Sequence, residues 1–314
     1  MANMGKSVAG TRRPGHAAQA SGGAGIGVFS VSDALGAEIR GVDLRDELDA
    51  DSVGAIRRAW LDHNVVLFRD QHLSDGDLVR FSRRFGGLDL GPRMAWQAAE
   101  QEFPEIFIIS NVIENGNPIG FLGYQEADWH TDMSHTAMPP KASTLYALEV
   151  PADGSGRTGF MNMYKVYDAL PGPLRSRLKE LYLRHDPAHT LQGELRDGFA
   201  SESGEDGEIR EGPVHPLVRT HPETGRKALY LGRERNGVHR AACIVGMTRA
   251  DSDRLLDELW AIARQEQFAW YHTWRAGDYL MWDNRCVMHR RESFRADLRR
   301  IMHRTQIRDD VAPA

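Results

Sequence analysis

DWHTDMSHTAMPPKASTLYALEV (residues 128–150) holds two signals in one run of sequence. Its second half, ASTLYALEV, alternates like a β-strand. Its first half carries His130-Thr131-Asp132 in a strand or at a strand exit. Side chains at i and i+2 of a strand project to one face, so the imidazole and the carboxylate meet the same space and Trp129 turns away. Downstream, the last third reads as four more short strands: FAWYHTW (268–274), DYLMWDN (278–284), CVMHRRES (286–293) and RRIMHRTQI (299–307). Upstream, VFSVSDALGAEIRGVDL (28–44) suggests two short strands around a glycine turn, and NVVLFRD (64–70) and EIFIISNV (105–112) are compact apolar strands.

Helices are inserted between these strands. Asp49 to His63 places Val53, Ile56, Trp60 and Leu61 at helical spacing behind an aspartate cap. Ser74 to Phe85 is a second amphipathic helix on a serine cap, ending at Gly86-Gly87. GFMNMY (159–164) reads as a strand, followed by a helix from about Lys165 to Leu183. HPLVRTHPETGRKALYLG (215–232) reads as paired strands around a Pro222–Gly225 turn, with another helix from Thr248 to Gln265. There is no repeat and no clean linker. The expectation is a mainly β (α+β) chain, a single domain over 27–310 built on a sandwich or barrel.

Composition bounds the function. Of 314 residues, 41% are hydrophobic and 26% charged, an ordinary globular mix. Lys+Arg 39 against Asp+Glu 44 gives a net charge of −5, without the basic excess of a nucleic-acid binder. No apolar run approaches the ~18 residues of a membrane helix. Two cysteines, Cys243 and Cys286, make neither a Cys-rich zinc site nor a disulfide scaffold. Residues 1–26 read as a flexible tail without the apolar core of a secretory signal, so the expected location is cytoplasmic. The acidic, Gly-rich run 186–213 reads as a lid or a disordered insert.

His130-x-Asp132 alone fits a structural hydrogen bond as well as a metal site. His289, in WDNRCVMHR (282–290), completes two histidines and one carboxylate. That set is the facial triad of non-haem Fe(II), and it also suits a zinc hydrolase. Arg300, Met302 and Arg304 share one face of the next strand. Buried guanidiniums there would need a carboxylate or similar oxyanion, whereas a solvated strand face would carry no such meaning. Cys286 faces away from the metal on a regular strand.

The chain resembles the TauD/TfdA branch of the Fe(II)/2-oxoglutarate-dependent dioxygenases from Leu35 to Ile307. The resemblance rests on LGAEIRGVDL (35–44), FRDQHLS (68–74), RFG (84–86), WHTD (129–132), Pro139-Pro140, GRT (156–158), HPLVRTHPETGR (215–226), WDNRCVMHR and RRIMHRTQI. It implies a double-stranded β-helix (jelly-roll) core with flanking helices. It implies that His130, Asp132 and His289 are the catalytic iron ligands, and that Arg300 and Thr158 hold the far carboxylate of 2-oxoglutarate. Arg304 then matches the arginine that holds a substrate anion. The implied cofactors are Fe(II), 2-oxoglutarate and O2, with succinate and CO2 as co-products. Asp132 argues against a halogenase, which lacks that carboxylate. The implied partners are a small anionic organic substrate (carboxylate, sulfonate or sulfate ester) and a homo-oligomer, dimer or tetramer, with no nucleic acid and no membrane. Gly91, Met94 and Glu126 stand where the taurine-specific pattern has other residues, so taurine is disfavoured. Met94, Trp96, Phe121, Leu122, Tyr124 and Met133 are candidates for a roomier apolar pocket, with Arg93 as a second oxyanion contact. The competing readings are a His2Asp metallohydrolase and a non-catalytic, acid-binding jelly roll.

Overall fold

A computed structural model describes residues 25–91, 102–190, 194–196, 209, 211–234 and 241–314. Two sheets carry the core. The larger sheet orders its strands Gly27–Ser30, Ala37–Arg40, Val65–Phe68, Tyr279–Asp283, Ala142–Glu149, Ile301–Arg304, Phe107–Ser110 and Phe121–Leu122, with Gln306–Ile307 also pairing to Ala142–Glu149. The smaller sheet runs Ala269–His272, Thr158–Asn162, Val287–Arg291, Ala127–His130. Phe160 and Met288 from the small sheet meet Leu145, Leu280 and Trp282 from the large one in a single buried cluster. A second cluster, including Trp60, Phe68, Phe81, Phe85 and Tyr279, seals the outer face of the large sheet under two helices. The result is the expected mainly β jelly-roll core with helices outside.

Those two helices begin where their caps require. The Asp49 side chain accepts from Ser52 N ahead of the Ala50–His63 helix. Ser74 and Asp77 form a reciprocal capping box on the Asp75–Arg83 helix. Burying the large sheet on both faces explains why Ala142 to Ala147 are all buried, against the half-exposed alternation expected of ASTLYALEV.

The sequence reading needs correction between 159 and 185. The strand is Thr158–Asn162, and Asn162 caps a short helix, Met163–Ala169, through its side-chain oxygen. Pro171 interrupts the expected long helix. A second short helix, Gly172–Leu178, follows, and Leu183 lies in the strand Tyr182–His185. Proline can open a helix but cannot continue one, so a single amphipathic period cannot run through this segment. Residues 1–24, most of the 186–213 run, and Arg93, Met94 and Trp96 lie outside the described residues. Among the described residues, no helix is long and apolar enough to cross a membrane.

Candidate metal and co-substrate site

Strand register builds the site. His289 pairs with Phe160 on one side and with His130 on the other, so the two imidazoles lie on adjacent strands. Their ring centroids are 4.1 Å apart. The Ala127–His130 strand ends at His130, and Thr131 N donates to Gly232 O at 2.6 Å. Asp132 therefore sits just past the strand exit, where Asn284 grips its backbone. Asp132 N donates to Asn284 Oδ1 at 2.9 Å, and Asn284 Nδ2 returns a bond to Asp132 O at 3.0 Å. Met133, next in line, takes a left-handed φ of 52° and turns the chain back toward the cavity. That turn is why His135 lines the cavity, although a regular strand would have faced it away.

The three ligand atoms of His130, Asp132 and His289 lie within 4.8 Å of one another, all buried. Asp132 Oδ1 is 3.7 Å from Nε2 of both histidines. Its other oxygen is occupied: Ser143 Oγ donates to Oδ2 at 2.7 Å, and the Arg304 guanidinium pairs with it. Burial works to raise the Asp132 carboxyl, but Arg304, then the two histidines, hold it well below the usual range. Burial, the neighbouring His130 and Arg304 keep His289 neutral. His130 Nδ1 donates to Asp128 O at 2.7 Å, which fixes the ring with Nε2 on the Asp132 side. The His289 ring is held by packing against Trp282, 4.7 Å between centroids, and its buried Nδ1 has no hydrogen-bond partner among the described residues. Two imidazoles and one ionised, singly available carboxylate oxygen suit a divalent cation.

A second cluster, His221, Asp283 and Cys286, is as compact. There, however, Arg285 binds both Asp283 oxygens and His221 Nε2 donates to Oδ2 at 3.0 Å. That is an internal ion network with no oxygen left for a cation. Cys286 is a buried, packed thiol in the turn just ahead of the strand Val287–Arg291, not on the strand as the sequence suggested.

The triad opens into a cavity of about 760 Å³, whose walls include Thr158, Arg300, Arg304, Met133, Phe121 and Tyr124. Arg300 and Arg304 both point into it, while Arg299 pairs with Glu149 and His303 with Asp75 outside. Arg300 is fully buried and its Nε has no partner among the described residues. Burial, then the charge of Arg291, lowers Arg300 to about 9. Thr158 Oγ1 accepts from Trp274 Nε1 at 2.9 Å, which leaves the threonine proton available to an anion. Glu126 pairs with Arg290 and does not line the cavity.

The family model described as "Taurine catabolism dioxygenase TauD, TfdA family" matches residues 28–306. The chain belongs to the TauD/TfdA family. It is 34% identical over 297 residues to an (S)-phenoxypropionate/alpha-ketoglutarate-dioxygenase of Sphingobium herbicidovorans, covering 88% of this chain and 93% of the relative. It is 33% identical over 284 residues to the alpha-ketoglutarate-dependent 2,4-dichlorophenoxyacetate dioxygenase of Cupriavidus pinatubonensis, covering 88% and 95%. The crystal structure of a taurine dioxygenase from Burkholderia xenovorans superposes with a TM-score of 0.74 at 32% identity, covering 92% of this chain and 91% of that one. As a TauD/TfdA protein the chain is an Fe(II)- and 2-oxoglutarate-dependent dioxygenase, with O2 as the oxidant.

Sequence reasoning missed Ser143, Asn284 and Trp274, the partners of the predicted residues. Asn284 had a signal, since it stands in the WDN segment already singled out. Ser143 had none, because a serine inside an apolar strand is indistinguishable from packing.

Proposed function

We propose that His130, Asp132 and His289 hold the iron, that Arg300 and Thr158 hold the far carboxylate of 2-oxoglutarate, and that the substrate is a small organic acid with an apolar or aromatic body. One observation carries the reading: a buried His-Asp-His cluster opens into the same cavity as a fully buried arginine whose Nε has no partner among the described residues. A His2Asp hydrolase gives that arginine no task.

When bound, iron with 2-oxoglutarate and O2 supplies oxidation of a substrate C–H bond, with succinate and CO2 as co-products. The residues supply position. Arg300 and the Thr158 hydroxyl fix the tail of the keto acid, so that its chelating end meets the triad in one orientation. Asp132 offers Oδ1 alone, since Ser143 and Arg304 hold Oδ2. Arg304 still has a buried Nε without a partner among the described residues, and that N–H receives the substrate anion. Met133, Phe121 and Tyr124 form apolar wall against the substrate body, with Phe107 edge-on to Phe121 at 5.0 Å. The named relatives act on phenoxypropionate and 2,4-dichlorophenoxyacetate, which supports an aromatic acid over taurine. Hydroxylation at a carbon bearing ether oxygen would give a hemiacetal that cleaves, and hydroxylation elsewhere would give a stable alcohol.

The test is anaerobic titration of the apoprotein with Fe(II), then 2-oxoglutarate. A weak visible charge-transfer band that fades in Arg300→Ala supports the assignment. Its absence from folded, iron-loaded protein would refute it. Succinate release across a panel of aryloxy acids, sulfonates and sulfate esters then ranks substrate classes.

A further inference from the structure

Thr158 opens the strand Thr158–Asn162 and stands between two cross-strand partners, His272 on the strand Ala269–His272 and Arg291 on the strand Val287–Arg291. Trp274 lies two residues past His272, just beyond the end of that strand. Its Nε1 donates to Thr158 Oγ1 at 2.9 Å, and both residues are buried. An indole N–H donates and never accepts, whereas a hydroxyl has one proton and two lone pairs. The Thr158 oxygen is therefore the acceptor in this bond, and its own proton points elsewhere. Thr158 lines the cavity, and the bond from Trp274 is the one its hydroxyl makes among the described residues. The indole is itself braced. Its ring meets the His272 ring edge-on, 4.7 Å between centroids. His272 Nε2 donates to Asp278 Oδ2 at 2.9 Å, and the same oxygen accepts from Arg69 Nη1 at 2.7 Å and Arg275 N at 2.8 Å. Threonine rotamers exchange the methyl and the hydroxyl between staggered positions, and an indole held in place selects the one that brings Oγ1 to its N–H.

We propose that Trp274 is a positioning residue for the co-substrate: its indole N–H holds Thr158 in the rotamer, and with the proton direction, that donates to the far carboxylate of 2-oxoglutarate. This rests on the reading of the site given above, in which Thr158 and Arg300 hold that carboxylate. Trp274 is not part of the cavity wall among the described residues, so it acts through Thr158. Without the indole proton, both lone pairs of the buried oxygen are open, and the methyl is free to turn to the cavity in place of the hydroxyl. A 2-oxo acid with no distal carboxylate uses neither the hydroxyl nor the indole behind it.

The experiment is a double-mutant cycle read by calorimetric titration of the Mn(II)-loaded full chain with 2-oxoglutarate and, separately, with pyruvate, which chelates alike but has no distal carboxylate. Wild type, Trp274→Phe, Thr158→Val and the double variant are compared, with melting curves for each. Losing one uncharged hydrogen bond corresponds to about 3- to 10-fold in affinity. Trp274→Phe should show that loss for 2-oxoglutarate and leave pyruvate within twofold of wild type. In the Thr158→Val background the same change should cost less than twofold, because the hydroxyl it orients is gone. Unchanged 2-oxoglutarate binding in Trp274→Phe, parallel loss for both ligands, or an equal loss in both backgrounds overturns the proposal. If Trp274→Phe does not fold, Thr158→Ser carries the test. A hydroxyl held by the indole keeps 2-oxoglutarate affinity within threefold of wild type without the β-branch, and a loss as large as that of Thr158→Val overturns the proposal. Wild type that binds 2-oxoglutarate no better than pyruvate, or Thr158→Val that binds it as well as wild type, refutes the site reading itself, whatever Trp274 does.

Discussion

Ser143→Ala removes one hydroxyl from a completely buried position on the strand Ala142–Glu149. That hydroxyl donates to Asp132 Oδ2 at 2.7 Å and accepts from Arg304 Nη2 at 3.2 Å. It touches no ligand atom, because Oδ1 is the oxygen turned toward both histidines. Its effect is to hold the carboxylate in the rotamer that presents Oδ1. A hydrogen bond to a charged acceptor contributes about 1.5–3 kcal/mol. Arg304 remains on Oδ2 in the variant, so the lower end applies, and ~1.5 kcal/mol is about tenfold in affinity. Outer-shell partners of metal ligands generally fall in a range of about 10- to 100-fold. The assay is Mn(II) binding to the apoprotein, read from the EPR signal of the free aquo ion. Melting curves check the fold, and Ser143→Thr, which keeps the hydroxyl, should restore affinity. A folded Ser143→Ala protein that binds Mn(II) within twofold of wild type would show that Arg304 alone orients the carboxylate, and the argument would fail.

Asp132→Ala removes the only carboxylate of the triad and should abolish substrate-linked succinate release; turnover near the wild-type rate would sink the ligand assignment. Asn284→Ala leaves Asp132 N and the carbonyls of Asp132 and Pro140 without their partner, costing about 2–4 kcal/mol and visible as a clear drop in melting temperature. His135 is lowered to about 4 by burial, then by Arg196 and Arg233, with Asp186 and Asp132 opposing. Between about pH 6.5 and 4 the unfolded chain therefore binds a proton that the folded chain does not, and stability falls as pH drops through that window. His135→Gln should flatten the melting-temperature profile there and leave it unchanged above pH 7; parallel profiles would remove His135 from the account.

Much of this was legible in the sequence, for physical reasons. The helix starts at Ala50 and Asp75 were readable because Asp49 and Ser74 satisfy backbone donors within three residues of themselves. Arg304 and His289 line one cavity as a period of two expects of their strands, whereas Asp132 stands past the strand exit and joins His130 there through the Asn284 grip. The long helix through Pro171 was misread because the apolar spacing continued across the break. Ser143 and Trp274 were invisible because their roles depend on partners 11 and 116 residues away, and a single strand says nothing of what lies beside it.

The regular pairing of Val287–Arg291 with Thr158–Asn162 has a metrical consequence. A strand advances about 3.4 Å per residue, so His289 and Arg291 stand about 7 Å apart along one rigid rung. With one end of a keto acid at the triad and the other at Thr158, the sheet becomes a ruler for carbon chains. A diacid one methylene shorter falls short of an end, and one methylene longer must buckle. If Thr158 and the triad hold the two ends as proposed, selection of a five-carbon co-substrate is written in hydrogen-bond register, in the part of the molecule least free to drift.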